Sequence, residues 1–200
     1  MVEQQIAGRD VTDTPVLQAM LKVERHLFIP HDQQANAYED GPLPIGDGQT
    51  ISQPYIVAYM TEALKLSRDK IALEIGTGCG YQTAILAEIA REVYTIERIP
   101  GLSEHAASLL TLLKYKNIHY HTGNGFNGWP EHAPYDGILV TCAPQFIPHA
   151  LTAQLARGGR MVIPVGMPGY QELLLIRKSD TGKITERALC GVRFVPMVED

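Results

Sequence analysis

Ile71-Ala-Leu-Glu-Ile-Gly-Thr-Gly-Cys-Gly80 joins a short apolar run to three closely spaced glycines. The run reads as a buried strand and the glycines as a bare-backbone turn that follows it. Tyr81 to Arg91 then places Ile85, Leu86, Ile89 and Ala90 at helical spacing, so the unit is strand, glycine turn, helix. Such a unit receives nucleotide-like ligands at a helix N-terminus, and it also occurs as a plain connection. Lacking Cβ atoms, Gly76 and Gly78 let a ligand approach main-chain N–H groups.

The spacing separates two ligand classes. A dinucleotide fingerprint G-x-G-x-x-G would need its third glycine at Tyr81. The chain instead has E-x-G-x-G-x-G, the pattern of S-adenosylmethionine-dependent methyltransferases. The strand's own acid, Glu74, counts against a pyrophosphate close by and suits a ligand with a cationic end. A second strand, Val93-Tyr-Thr-Ile96, ends at Glu97. That acid stands about 20 residues past the glycines, where it can take two ribose hydroxyls.

At 200 residues the chain fits one domain with a sizeable core. A net charge of −5 argues against a broad phosphate-tracking surface, so no nucleic-acid partner is expected. Cys79, Cys142 and Cys190 show no metal-ligand spacing, and an odd count is a poor disulfide framework. Reduced thiols point to a cytoplasmic protein. No apolar leader opens the chain and no run approaches the ~18 residues of a membrane span, so no membrane association is expected.

Outward from the glycine turn, residues 1 to 30 read as a helical cover, with Thr12, Asp13 and Thr14 as capping candidates and Pro15 at a first helical position. Tyr38 to Pro54 reads as a long ordered loop rich in Gly and Pro, followed by a helix from about Pro54. Ser52, just before that helix, is either its N-cap or a functional hydroxyl. Beyond Glu97 come a helix over Leu102 to Leu113 and a strand at Ile118 to His121, followed by Thr122-Gly-Asn-Gly125, an ordinary turn or a contact for an adenine edge. Three successive βα units imply a parallel, doubly wound sheet with ligands at its carboxyl ends. A fourth strand, Gly137 to Val140, ends in Thr141-Cys-Ala-Pro144, which offers no amine acceptor, and Cys142 lacks the Pro-Cys context of a nucleophile. A helix from Pro148 to Leu155 is expected to stop at Arg157-Gly-Gly159. Met161 to Val165, Leu173 to Arg177, Ile184 to Leu189 and Val192 to Val195 read as strands, the later ones antiparallel. The expected fold is α/β: a doubly wound, mostly parallel, Rossmann-like sheet with an N-terminal helical cover and C-terminal antiparallel strands. It forms one domain, with cover and substrate loop at 1–70, donor core at 71–166 and extension at 167–200.

From about Arg25 to Val198 the chain resembles the protein-L-isoaspartate (D-aspartate) O-methyltransferases. The resemblance is carried by Pro42-Leu-Pro-Ile-Gly with Gln49-Thr-Ile-Ser-Gln-Pro, Leu73-Glu-Ile-Gly-Thr-Gly, Val93-Tyr-Thr-Ile-Glu-Arg, Asn127-Gly-Trp-Pro-Glu, Gly158-Gly-Arg-Met-Val-Ile-Pro-Val-Gly and Val192-Arg-Phe-Val-Pro. It implies methylation, from S-adenosyl-L-methionine, of the free α-carboxylate of L-isoaspartyl residues in damaged proteins and peptides. That ester primes reclosure to a succinimide and so begins repair. It also implies that Ser52 is the catalytic hydroxyl and that Thr50, Ile51, Gln53 and Arg193 contact substrate. Ile45, Gly46, Asp47 and Gly48 would lie over the donor, Gly76 and Gly78 against its amino-acid portion, and Glu97 at the ribose. Asn124 and Gly125 would meet the adenine and Gln171 would close the site. Asp47 stands where bacterial members generally have His, and Asn124 where Asp is common. These departures keep a second reading open, a carboxyl methyltransferase of a dedicated precursor peptide; a non-catalytic nucleoside-binding protein is a third. A monomer without a metal is expected.

Overall fold

A computed structural model describes residues 1–199. The chain opens with a helical turn at Val2–Ala7 and helix α1, Thr14–Lys22, whose N-cap Asp13 accepts from the Val16 amide at 3.3 Å. The segment read as a loop contains a hairpin of β1, Leu43–Gly46, and β2, Gln49–Ile51, paired antiparallel. Prolines at 42 and 44 and strands this short hide it from pattern reading. Its tip carries three consecutive residues of positive φ, Gly46 at 96°, Asp47 at 50° and Gly48 at 69°, the conformation an Asp-Gly hairpin turn supports.

Helix α2, Pro54–Leu64, leads to β3, Ile71–Ile75, and the glycine turn opens α3, Tyr81–Ile89. Then follow β4, Glu92–Glu97; α4, Pro100–Leu112; β5, Ile118–Thr122; β6, Tyr135–Val140; and α5, His149–Gln154. The chain finishes in β7, Leu155–Met167, β8, Tyr170–Lys178, and β9, Ile184–Val192.

These strands form one seven-stranded sheet in the order β5-β4-β3-β6-β7-β8-β9. β5 to β7 are parallel, and β7, β8 and β9 are antiparallel. The order reverses at β3, between β4 and β6. That reversal leaves a crevice outside the carboxyl ends of these strands, where a ligand can lie.

Two boundaries differ from the sequence reading. Arg157-Gly158-Gly159 does not stop α5, which has ended at Gln154; the glycines lie inside β7, where the register with β6 shifts between Tyr135 and Gly137. The last carbonyls of α5 are held by a lysine from β8: Lys178 Nζ donates to Thr152 O and Ala153 O at 3.2 Å each and to Leu155 O at 2.7 Å. Nor do Ile184 to Leu189 and Val192 to Val195 form two strands. β9 is continuous, with a bulge against β8 at Leu173/Leu174, and the chain then leaves the sheet. It runs beside the end of β6, where Ala143 N donates to Val195 O at 2.8 Å and Met197 N donates to Ala143 O at 2.9 Å.

Candidate active site

The glycine turn is fixed from three sides. Gly76 has φ 95° and its amide donates to Ile96 O at 2.8 Å. Thr141, at the end of β6, donates its hydroxyl to Ile75 O at 2.9 Å and Gly76 O at 2.7 Å. The Gly78 amide donates to Glu97 Oε2 at 2.9 Å, while Glu97 Oε1 accepts from Ile99 N at 2.9 Å. One carboxylate at the end of β4 therefore ties the turn after β3 to the start of α4. Each of its oxygens keeps a lone pair for a further donor.

A cavity of about 210 Å³ opens over this turn. Its walls include Gly76, Gly78, Glu97 and Gly125, with Ile75, Ile96 and Ile99 as apolar surface. Gly125 is bare of necessity, because a Cβ there would stand 2.4 Å from Ile75 Cγ2. Beside it lies a wider groove of about 880 Å³ lined by Gln53, Ile56, Gln171 and Arg193 among others. Thr50, Ser52, Thr141 and Val195 belong to the walls of both. The hydroxyl of Ser52 thus stands where the cavity and the groove meet. The N-cap position of α2 belongs to Gln53, and Ser52 makes no hydrogen bond among the described residues. The capping account of Ser52 is thereby removed.

The walls include some of the other site candidates and leave out others. Ile45, Gly46, Asp47 and Gly48 are outside both cavity walls; Ile45 alone approaches the turn, with its Cδ1 3.4 Å from where a Gly78 Cβ would be. Ile51 is buried in the core as well as in the first cavity's wall. Asn124 is in neither wall, and its Oδ1 caps the turn at Gly125–Asn127 by accepting from Phe126 N at 2.9 Å. Gln171 lines the groove and not the donor cavity: its amide clamps the Phe194 backbone, accepting from its N–H at 2.6 Å and donating to its carbonyl at 3.1 Å. The Gln53 side chain donates to Asp40 O at 3.2 Å. Arg193 is exposed in the groove and makes no ion pair among the described residues.

Glu74 is the most deeply buried of the site candidates. It is fully buried beneath the turn and absent from both walls, because its side chain faces α3 and β4, where Thr83 and Thr95 donate to Oε2 at 2.5 and 2.7 Å. Burial pushes its pKa from an ordinary 4.5 up to about 8, against the opposing pull of the two threonine hydrogen bonds. The folded protein therefore holds a proton that the unfolded chain has lost between these values. The Glu74 contribution to stability falls as pH rises from about 4.5 to about 8 and is level above. Glu74→Gln is expected to flatten this slope, which urea unfolding of both proteins at pH 5, 6.5 and 8 would measure. Parallel pH dependences in the two proteins would refute it.

Burial likewise pushes the Cys79 thiol up to about 11 and Cys142 up to about 12. Both line the first cavity, and both are poor nucleophiles near neutral pH. Two features of the walls were only partly signalled in the sequence. Thr141 drew attention only as a missing amine acceptor, and of the wall from Val195 to Val198 the motif ending at Pro196 covers the first two residues, while Met197 and Val198 join through contacts far along the chain.

A sheet that reverses at β3, with a glycine turn and an acid on successive strand ends, places the chain among the Rossmann-like S-adenosylmethionine-dependent methyltransferases. The profile of the protein-L-isoaspartate (D-aspartate) O-methyltransferase family matches residues 1–200, and the chain belongs to that family. A Picosynechococcus protein-L-isoaspartate O-methyltransferase is 56% identical over 197 residues, covering 98% of this chain and 88% of its own. A Synechococcus protein of the same name is 52% identical over 205 residues, covering 99% and 84%. Among solved structures, a protein-L-isoaspartate O-methyltransferase superposes over 100% of this chain with a TM-score of 0.90 at 28% identity, and this chain spans 66% of that longer one. A Plasmodium falciparum structure in complex with S-adenosyl-L-homocysteine shares the fold at 24% identity, with a TM-score of 0.84 over 100% of this chain and 97% of that one.

Proposed function

We propose that this chain uses S-adenosyl-L-methionine to esterify the free α-carboxylate of L-isoaspartyl residues in damaged proteins and peptides, the step that opens return to aspartate through a succinimide. The observation that carries this reading is the uncommitted Ser52 hydroxyl on the wall shared by the cavity and the groove. Family membership and relatives at 52% and 56% identity support the substrate class.

The cavity fits such a donor on its own features. Glu97 offers acceptors for ribose hydroxyls, the bare backbone at Gly78, where a Cβ would meet only Ile45 Cδ1 at 3.4 Å, leaves room, and three isoleucines provide a surface for an adenine face. The bound donor supplies a methyl group on a sulfonium, an electrophilic carbon. The chain's own residues then have to orient the acceptor. A substrate carboxylate with a pKa near ~3.5 is ionised at neutral pH, so no general base is needed. In this reading Ser52 donates a hydrogen bond to one carboxylate oxygen and leaves the other free to attack. Arg193 supplies a positive charge in the groove for an acidic peptide. The rate comes from position and from removal of water.

We take the chain to act as one catalytic unit and as a monomer, since a single chain builds both cavities. Free cysteines fit a reducing cytoplasm, and the negative net charge speaks against a nucleic-acid acceptor. The deciding experiment offers the purified protein labelled S-adenosyl-L-methionine with an isoaspartyl peptide and its normal-aspartyl twin. Label is expected in the ester of the isoaspartyl peptide alone. Equal methylation of the twins, or methylation of neither, would overturn the repair assignment.

A further inference from the structure

A cation without a counter-ion among the described residues is buried behind the glycine turn. Arg25, in the helical turn Arg25–Phe28, is 0% exposed. Its Nε donates to Ala37 O at 2.9 Å, and among the described residues its terminal nitrogens have only a loose contact with the Tyr81 hydroxyl, outside hydrogen-bond geometry. The guanidinium lies over the ring of Tyr81, 5.0 Å from its centroid. The groups that act on it are the Tyr81 and Tyr38 phenols and the Cys79 thiol, with no carboxylate among them. Burial lowers its pKa, yet a guanidinium remains protonated in proteins. Cys79 and Tyr81 line the donor cavity, so this charge stands one layer behind that wall.

An unpaired buried charge is costly, and an anion brought close to it recovers part of that cost. The opening that shares Cys79 and Tyr81 with it is the donor cavity, where the turn gives way to α3. The backbone N–H groups of that nine-residue helix's first turn also favour negative charge. S-adenosyl-L-methionine and its product share one anionic group, the α-carboxylate of the amino-acid end, with an α-ammonium on the same carbon; a buried cation acts on that pair by turning the carboxylate towards itself and the ammonium away, and the nucleoside end has no anionic group to orient.

We propose that Arg25 is a positioning residue that draws the α-carboxylate of the donor to the first turn of α3, acting through the wall formed by Cys79 and Tyr81. Donor recognition then has two electrostatic ends, Glu97 for the ribose hydroxyls and Arg25 for the carboxylate. This inference rests on the donor reading given above.

Calorimetry with three ligands tests it: S-adenosyl-L-homocysteine, its α-carboxamide, and 5′-methylthioadenosine, which lacks the amino-acid end. The wild-type protein is expected to bind the carboxamide about tenfold more weakly than the carboxylate, the size of a through-space interaction at intermediate dielectric. Arg25→Met should lose about tenfold for S-adenosyl-L-homocysteine while its affinity for 5′-methylthioadenosine changes less than about twofold, and Arg25→Lys should keep most of the preference. A purely structural role would weaken both ligands together, and that outcome overturns the proposal. Equal binding of carboxylate and carboxamide by wild type overturns it too, without recourse to any variant. Failure of wild type to bind any of the three would refute the donor reading itself.

Discussion

Ser52→Ala is expected to lower kcat for an isoaspartyl peptide by about 10²- to 10³-fold, the loss seen when one positioned donor to a reacting oxygen is removed. The affinity for S-adenosyl-L-homocysteine should change little, because Glu97 and the isoleucine surface of the cavity remain. The substitution removes one oxygen from a half-buried side chain that neither caps α2 nor joins any hydrogen bond among the described residues. Little stability is therefore at stake, and a fall in activity reports on catalysis. Single-turnover methyl transfer at saturating donor separates this effect from binding. A variant that keeps more than about a tenth of wild-type kcat would show that the carboxylate is oriented by other groups, with the backbone of Thr50 to Gln53 first among them.

The parts of this site legible in the sequence are those that a local rule fixes. Glycines at 76 and 78 report left-handed backbone at φ 95° and 54°, and Glu97 follows from the length of a βα unit. The remainder depends on contacts that no local rule contains. Alternation along β3 says that Glu74 and Ile75 face opposite ways, but not that α3 covers the face taken by Glu74. Asn124 has the side chain of a base-reading acceptor and equally that of a cap, and no local rule says that its Oδ1 holds the turn at Gly125. The motif that ends at Val195 and Pro196 is visible in the sequence, but its place as a wall is not: Gln171 and Ala143 hold this segment beside the end of β6. The resemblance found Ser52 by motif. The geometry adds that α2 is capped one residue later, which frees the hydroxyl.

Gly76→Ala is expected to lower stability by about 3 kcal/mol and to weaken S-adenosyl-L-homocysteine binding beyond tenfold, from two separable causes. A residue with a side chain held at φ 95° bears roughly 1–3 kcal/mol of backbone strain. Its Cβ would also stand 2.2 Å from Thr141 Oγ1, forcing that hydroxyl off the Ile75 and Gly76 carbonyls, at about 1 kcal/mol for each bond lost. The double variant Gly76→Ala with Thr141→Ala distinguishes them. It relieves the collision but not the strain, so it should be less destabilised than the sum of the two single variants, by about 1 kcal/mol or more. Urea unfolding of the four proteins measures this coupling, and calorimetry follows the donor site in parallel. Strict additivity would mean that Thr141 moves aside without loss and that strain alone explains the glycine. A fully stable Gly76→Ala that still binds ligand would show that the turn does not require the conformation on which the donor cavity is built.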